Sequence, residues 1–288
     1  MKKIIIGILT FAMLFTTLAM ATGCSKIVKL RLEVVVYNTE TETTESKTVS
    51  FDMYEGLAPK AVAAVSKAVA DGNYTDCVLY EQSKSSGAST SSQLMFGGLK
   101  KSGDTFVRVE QTAVPDADFE KNGTTGSNLT NSTGYLGLWR TWKSTESFSN
   151  NGFKNSTTQI YMPKSEISSY NGCFCVFAKY STEDDLEVIN DMIALFADDE
   201  HYTEYTCYFE ADRDGRLKKD ENGEPVWRMV TTEEFEEVTN AYASADDPDN
   251  KTSPKIDTQY DEYTVKIVDS AKPVSYTHLR AHETRSNL

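Results

Sequence analysis

Two segments near the start of the chain alternate apolar and polar residues with a period of two. Lys29-Leu30-Arg31-Leu32-Glu33-Val34-Val35-Val36-Tyr37 and Lys47-Thr48-Val49-Ser50-Phe51-Asp52-Met53-Tyr54 are rich in β-branched residues, the pattern of half-buried strands. The polar stretch 38–46 between them predicts a hairpin with a long loop. After Pro59 the period changes: Ala61, Val62, Val65, Ala68 and Val69 recur at helical spacing and the run closes at Gly72, so a helix opens on an early proline and ends on a glycine. Its valine stripe reads as a core face. Short β-type runs follow at 77–80, 93–98, 135–139, 159–162 and 173–180, with the Ser/Gly-rich stretch 83–92 reading as a mobile loop. A second helix is predicted after a cap at Ser181 or Thr182, with Leu186, Ile189, Ile193 and Phe196 on one face. A long acidic excursion, 197–258, precedes a final strand at 263–268. Within the excursion, 205–209 and 226–230 read as strands, and Thr231 with Glu234 makes a capping box for a helix reaching Ala243. Leaving the excursion aside, the pattern predicts a mainly β fold of about eight strands with two principal helices, which favours a closed or nearly closed barrel.

Both ends of the chain differ from this body. Residues 1–23 carry two lysines and no acid, then an apolar run from Ile4 to Leu18, then small residues leading into Cys24, the layout of a secretory signal. Ala21-Thr22-Gly23-Cys24 resembles the lipobox of bacterial lipoproteins, whose cysteine sulfur receives diacylglycerol and becomes the new N-terminus. Cys24 is therefore the expected lipidation site, 24–28 a short linker, and the extracytoplasmic side of the cell membrane the expected location. A plain secreted protein and an uncleaved anchor helix are the other readings, the apolar run being short for a span. At the other end, Val274-Ser275-Tyr276-Thr277-His278-Leu279-Arg280-Ala281-His282-Glu283-Thr284-Arg285 breaks from the acidic character before it. It resembles a translated sequencing-library transposon adapter, so 274–288 is expected to be non-native, leaving 29–273 as one domain with an insertion at about 197–258.

Composition narrows the function classes. Of 288 residues, 39% are hydrophobic and 25% charged, values of a globular protein and poor for wholesale disorder or a multi-span membrane protein. The net charge is −14. Without Lys2, Lys3, Arg280, Arg285 and Glu283, residues 24–273 carry 25 cations against 42 anions, a net of −17. A phosphate-backbone binder needs clustered cations, so nucleic acid is not an expected partner. Cys77, Cys173, Cys175 and Cys207 are too sparse for a disulfide scaffold. Cys173 and Cys175 stand two apart on an apparent strand, a geometry that rarely bridges, so buried free thiols are expected. No CxxC pair or histidine cluster offers a metal site, and no cofactor is implied. Once the tail is set aside only His201 remains as a histidine, which disfavours a Ser-His-Asp hydrolase. Glu210, Asp212, Asp214, Gly215 and Glu221 are spaced like a calcium-binding EF-hand loop, but their flanks read as strands, and a polar hairpin with Asp214-Gly215 and Asn222-Gly223 turns is the plainer reading.

Several segments, in order, resemble the cyclophilin family of peptidyl-prolyl isomerases over roughly 29–195 and the last strand. Tyr54-Glu55-Gly56-Leu57-Ala58-Pro59-Lys60-Ala61-Val62 is similar to the family's strand-to-helix segment, and Asp71-Gly72-Asn73-Tyr74-Thr75-Asp76 to the exit from that helix. Phe96-Gly97-Gly98 resembles the end of its Gln-Gly-Gly-Asp turn. Phe119-Glu120-Lys121-Asn122-Gly123 and Gly134-Tyr135-Leu136-Gly137-Leu138-Trp139 resemble the Glu-Phe loop and the strand that follows. Asn155-Ser156-Thr157-Thr158-Gln159-Ile160-Tyr161-Met162 is similar to the Asn-Gly-Ser-Gln-Phe-Phe-Ile strand, and Asn171-Gly172 through Val176-Phe177-Ala178-Lys179 to the Asp-Gly to Val-Phe-Gly-Lys segment. The resemblance implies a cyclophilin-like eight-stranded closed β-barrel, with an α/β acidic insertion before the last strand, acting as a monomer on proline-containing polypeptides.

It also implies a chemistry that this chain meets only in part. Rotation about an Xaa-Pro bond must break amide resonance, a barrier of about 18–20 kcal/mol. Active family members lower it with an arginine in a Phe-His-Arg run, assisted by a glutamine and an apolar pocket. Here that run falls on Leu79-Tyr80-Glu81, so Glu81 stands at the arginine position and would oppose stabilisation of the twisted amide. Gln159 matches the glutamine, although an ordinary polar strand residue reads the same way. The implied substrate-binding positions are Leu94, Phe96, Trp139, Arg140, Tyr161, Tyr170 and Phe174; the preceding phenylalanine becomes Gln93 and the pocket tryptophan Ser169. Trp139 and Arg140 replace a small pair and would narrow the groove. Arg140 reads either as a cation reaching into the groove or as a solvated surface side chain. Three function classes follow: an exported isomerase, a cyclophilin-like polypeptide-binding module with little or no catalysis, and a calcium- or solute-binding lipoprotein.

Overall fold

The computed structural model describes residues 27–38, 43–84, 93–103, 105–114, 129–141, 155–197, 200–210, 218–235, 263–268 and 280–281. The first two strands, β1 (Ile27–Asn38) and β2 (Thr43–Tyr54), pair antiparallel along their whole length, from Ile27 opposite Tyr54 to Asn38 opposite Thr43. The ladder is longer than the sequence pattern predicts because the Thr- and Glu-rich segment around Thr43 still pairs through its backbone. Period two decides the faces: Val28, Leu30, Leu32 and Val34 are buried opposite Val49, Phe51 and Met53, while Arg31 is exposed.

Helix α1 (Pro59–Ala70) starts on the proline, whose missing N–H costs nothing in a first turn, and buries Ala61, Val62, Val65 and Ala68. It ends where Gly72, at φ +75°, donates to the carbonyl of Val69. Helix α2 (Glu183–Leu195) is capped by Thr182, which accepts from the Asp185 N–H while the Asp185 carboxylate accepts from the Thr182 N–H. Asp185 also accepts from the backbone N–H of Ser50 at 2.7 Å, tying the helix start to β2. Ile189, Met192 and Leu195 face the core.

The remaining strands are β3 (Tyr80–Lys84), β4 (Gln93–Phe96), β5 (Leu99–Ser102), β6 (Thr105–Arg108), β7 (Ala113–Val114), β8 (Tyr135–Leu138), β9 (Ser156–Thr157), β10 (Ile160–Pro163), β11 (Val176–Tyr180), β12 (Tyr202–Phe209), β13 (Trp227–Thr231), β14 (Tyr263–Val268) and β15 (Arg280–Ala281). Eleven of the strands form one antiparallel sheet in the order β13-β12-β14-β3-β4-β10-β8-β11-β2-β1-β15. Seven of the eight strands read from the sequence pattern occupy adjacent places in it, from β14 to β1, together with β3. The run expected as a strand at 77–80 shares only Tyr80 with β3, which continues to Lys84, while Cys77 makes an isolated bridge to Lys100. β5 with β6 and β7 with β9 form two small separate pairs.

The sheet is strongly curled. β1 and β4 stand five places apart in the strand order, about 24 Å across a flat sheet at the usual spacing. Yet Leu32 of β1 and Phe96 of β4 line the same apolar cavity, together with Leu136, Met162, Ile189 and Met192. The main core fills this concave side with residues of β1, β2, β4, β8, β10, β11 and both helices. A closed barrel would join β1 to β14. In the structure β14 pairs on one side with β3 and on the other with β12, so the expected barrel is seen here as a curled sheet ending at β13 and β15.

β12 and β13 come from the acidic excursion, confirming its two strand-like runs as a hairpin. At its base the Glu210 carboxylate accepts from Lys218 at 2.6 Å and from Arg228 at 2.5 Å, and Asp220 accepts backbone N–H groups of Asn222 and Glu224. These contacts commit Glu210 to two cations and support the hairpin over the calcium loop; Asp212 and Asp214 lie outside the described residues. Thr231 and Glu234 form the expected capping box. Cys77, Cys173, Cys175 and Cys207 are buried and form no disulfide, as expected. Within the segment expected to be non-native, Arg280 and Ala281 pair with Lys29 and Val28 at the edge of the sheet. Cys24 and the 119–123 motif lie outside the described residues, as does most of the 83–92 loop.

Candidate groove on the convex face

The convex face opposite the main core carries a second cluster of buried residues. Strand register builds its centre: Tyr80 of β3 lies opposite Met95 of β4, which lies opposite Tyr161 of β10. Residues directly opposite one another share a face, and these three are buried. Leu94 and Met162, one step along the same strands, point instead into the main core. Phe96 joins them there and packs against Tyr74 at 6.1 Å. Of the groove positions implied by the resemblance, the structure therefore brings Trp139, Tyr161, Tyr170 and Phe174 together on one face and puts Leu94 and Phe96 on the other. A slip of one residue exchanges faces, which is why Met95 was missed.

The aromatic residues form one packed group. Tyr170 stacks on Phe174 at 4.2 Å with planes 18° apart. Tyr161 makes edge contacts to Tyr170 at 5.9 Å and Phe174 at 5.4 Å, and the indole of Trp139 meets Tyr161 edge-on at 6.0 Å and Phe174 at a tilt at 5.7 Å. Tyr161 lies flat because Gly137 leaves the room: a Cβ there would come within 2.4 Å of its ring. Its hydroxyl donates to Asn131 Oδ1, and Asn131 Nδ2 donates to Asn171 Oδ1 at 2.8 Å. Burial raises the Tyr161 phenol well above its ordinary value, keeping it a neutral donor. Neither asparagine stands out in the sequence; the Asn-Gly turn at 171–172 is the only local signal.

Gln159, half-buried just before β10, donates from Nε2 to the Tyr80 hydroxyl at 2.7 Å. Both groups sit over Gly98, where a Cβ would lie 2.4 Å from the Tyr80 hydroxyl. The glutamine thus faces a neutral phenol. Glu81 points to the other side of β3. It is 4% exposed and accepts from Lys164 Nζ at 2.8 Å. Lys266 stands opposite Glu81 in register, and Glu204 opposite Lys266, so anion and cation alternate across the strands.

Arg140 is not a solvated surface residue. It is 1% exposed, and its Nη1 donates to the Cys173 carbonyl at 2.6 Å. Burial raises the Cys173 thiol, partly offset by this guanidinium. His201 lies just before β12. Among the described residues, no group of three His, Cys, Asp or Glu side chains could hold a metal ion. Likewise among them, no helix is long and apolar enough to cross a membrane.

The chain matches no protein-family model and no curated protein. Among solved structures, it matches a cyclophilin type peptidyl-prolyl cis-trans isomerase of Cryptosporidium parvum at 11% identity and a TM-score of 0.34, covering 70% of this chain and 94% of that one. A second structure of that isomerase, solved in the presence of the dipeptide Ala-Pro, matches at 12% identity and a TM-score of 0.32, over 69% and 94% of the two chains.

Proposed function

We propose that this is an exported, lipid-anchored, cyclophilin-like protein that binds proline-containing polypeptides outside the membrane and isomerises their prolyl bonds slowly at most. The motifs of the sequence support the family, and the adjacency and curl of the eight strands from β14 to β1 support a cyclophilin-like barrel whose seam between β1 and β14 is wedged by the β12–β13 hairpin. One observation carries the functional reading: the side chain presented to Gln159 is the Tyr80 phenol. Lowering a rotation barrier of about 18–20 kcal/mol requires a fixed donor aimed at the developing charge. A neutral phenol already engaged with Gln159 is a weaker donor than a guanidinium. Arg140, the buried arginine nearby in sequence, is committed to the Cys173 carbonyl.

Full isomerase activity is the second reading, favoured by the Gln159 amide beside four aromatic rings. A protease-coupled proline isomerisation assay on the full chain separates the two. Background rates in a folded sample, unchanged in Gln159→Ala, are expected; rates above background that fall in Gln159→Ala would establish the isomerase. The anchor is tested by lipid labelling, which Cys24→Ser should abolish. The calcium-binding reading loses support because Glu210, at the first position of its loop, is held by Lys218 and Arg228.

A further inference from the structure

Resting on the polypeptide-binding reading, we infer that the groove takes a run of several prolines in the polyproline II conformation, flanked by basic residues and laid across the partly exposed side chains of Trp139 and Tyr170. The depth of the site is already filled. Met95 and Tyr161 have no exposed surface and Phe174 has 2%, and the Tyr161 hydroxyl is fixed by Asn131. A single proline ring would have to displace Trp139 to reach them. Trp139 is not on a loose flap: its N–H donates to the Gln159 carbonyl at 2.8 Å and its carbonyl accepts from the Thr157 N–H at 2.9 Å, which fixes its backbone at the end of β8.

What remains accessible is two partly exposed aromatic rings and the half-buried Gln159 amide. Flat aromatic surfaces suit polyproline II segments, whose conformation is formed before binding and whose carbonyls stay free to accept hydrogen bonds. Both rings pack on Phe174, whose centroid is 5.7 Å from that of Trp139 and 4.2 Å from that of Tyr170. One polyproline II turn of three residues rises about 9 Å, so a single turn reaches from one ring to the other. A run of prolines then meets both rings at once, and Gln159 Nε2, which gives one hydrogen to Tyr80, keeps its second for a backbone carbonyl. The net charge of −14 selects basic flanks by long-range attraction.

Calorimetric titration of the full chain with Arg-Arg-(Pro)9-Arg-Arg tests this. Comparison peptides are the same sequence with Glu flanks and an Arg-flanked Gly/Ser peptide holding one Ala-Pro. The nonaproline peptide with Arg flanks should bind at least about tenfold tighter than the single-proline peptide, and tighter than the Glu-flanked one. Trp139→Ala should weaken it about tenfold while Trp139→Phe, which keeps a ring, changes it less than about threefold. Tyr170→Ala stands in if Trp139→Ala does not fold. Equal affinity for the single-proline peptide, or indifference to both alanine variants, would overturn the polyproline inference and leave polypeptide binding in place. No binding of any peptide to a folded sample would overturn both.

Discussion

Gln93 is 4% exposed, and its Oε1 has no hydrogen-bond partner among the described residues. A buried acceptor left unpaired costs about 1–3 kcal/mol. Gln93→Met, similar in volume and without the amide, is expected to raise the unfolding free energy by about 1–2 kcal/mol, seen as a higher denaturant midpoint at unchanged slope. A lower midpoint would mean that Oε1 has a partner in solution. Glu81 is the opposite case, a buried anion with its cation in place. Its side chain is 5% exposed and that of Lys164 18%, and removing one partner of such a pair is costly because the other charge stays desolvated. Glu81→Gln should destabilise by about 3 kcal/mol, and Glu81→Arg by more, because the new cation would meet Lys164 and Lys266. The exchange Glu81→Arg with Lys164→Glu should recover much of that loss, which a double-mutant cycle reads directly. At this scale the sequence resolves residue type better than direction. The resemblance puts Leu94 in the groove, whereas the pairing Tyr80–Met95–Tyr161 gives that face to Met95, and a four-residue strand buried throughout has no exposed residue to reveal the slip.

Helix ends were legible where a side chain makes the boundary. Of the two cap candidates, Ser181 and Thr182, the structure uses Thr182, and Thr182→Ala is expected to cost about 1 kcal/mol while leaving the groove aromatics in place, which near-ultraviolet circular dichroism would verify. The β5–β6 hairpin was not legible, because only Leu99 of its first strand is buried and Lys100, Lys101 and Ser102 are exposed. A short exposed hairpin carries no alternation to read. The β12–β13 hairpin was legible as two apolar runs, and its base responds to pH. Burial pushes the Glu210 carboxyl up, but hydrogen bonds from Lys218 and Arg228 outweigh it and hold the group below its ordinary value of 4.5. With the folded value below the unfolded one, the contribution is complete above about pH 4.5 and is lost as pH falls through the lower folded value. Glu210 is 21% exposed and its partners more than half, which keeps the contribution below about 1 kcal/mol. Amide exchange at Glu210, Lys218 and Val226, whose backbones bond across the hairpin, should quicken relative to the main core as pH is lowered through this window, after correction for intrinsic exchange. Glu210→Gln should remove that acid-dependent difference.

Across the whole molecule, two cores divide the labour. The main core draws on both helices and on strands from β1 to β11, with no residue of β12 or β13. The convex cluster joins Tyr80, Met95, Tyr161 and Phe174 of the groove to Val265 and Ile267 of β14 and Cys207 of β12. The insertion is thus built onto a finished body through β14, and the alternating row of Glu204, Lys266, Glu81 and Lys164 sets its register. Sequence reading found the body because eight strands and two helices each bury one face, and missed the seam because strand pattern does not say which neighbour an edge will take. Replacing residues 200–258 by a short Gly-Ser linker tests this division. The main core predicts a folded protein with a cooperative melt, destabilised by the loss of the contacts to Val265 and Ile267. The same variant ends at residue 273, because β15 otherwise occupies the outer edge of β1. The freed edge of β14 then has two choices: β1 of the same chain, which the curl brings round the common cavity, or β14 of another copy. A monomer by light scattering is the expected outcome and would place the seam of a closed barrel between β1 and β14. A dimer joined through β14 would mean that the sheet stays open without the hairpin, and an unfolded chain would mean that the insertion is part of the body.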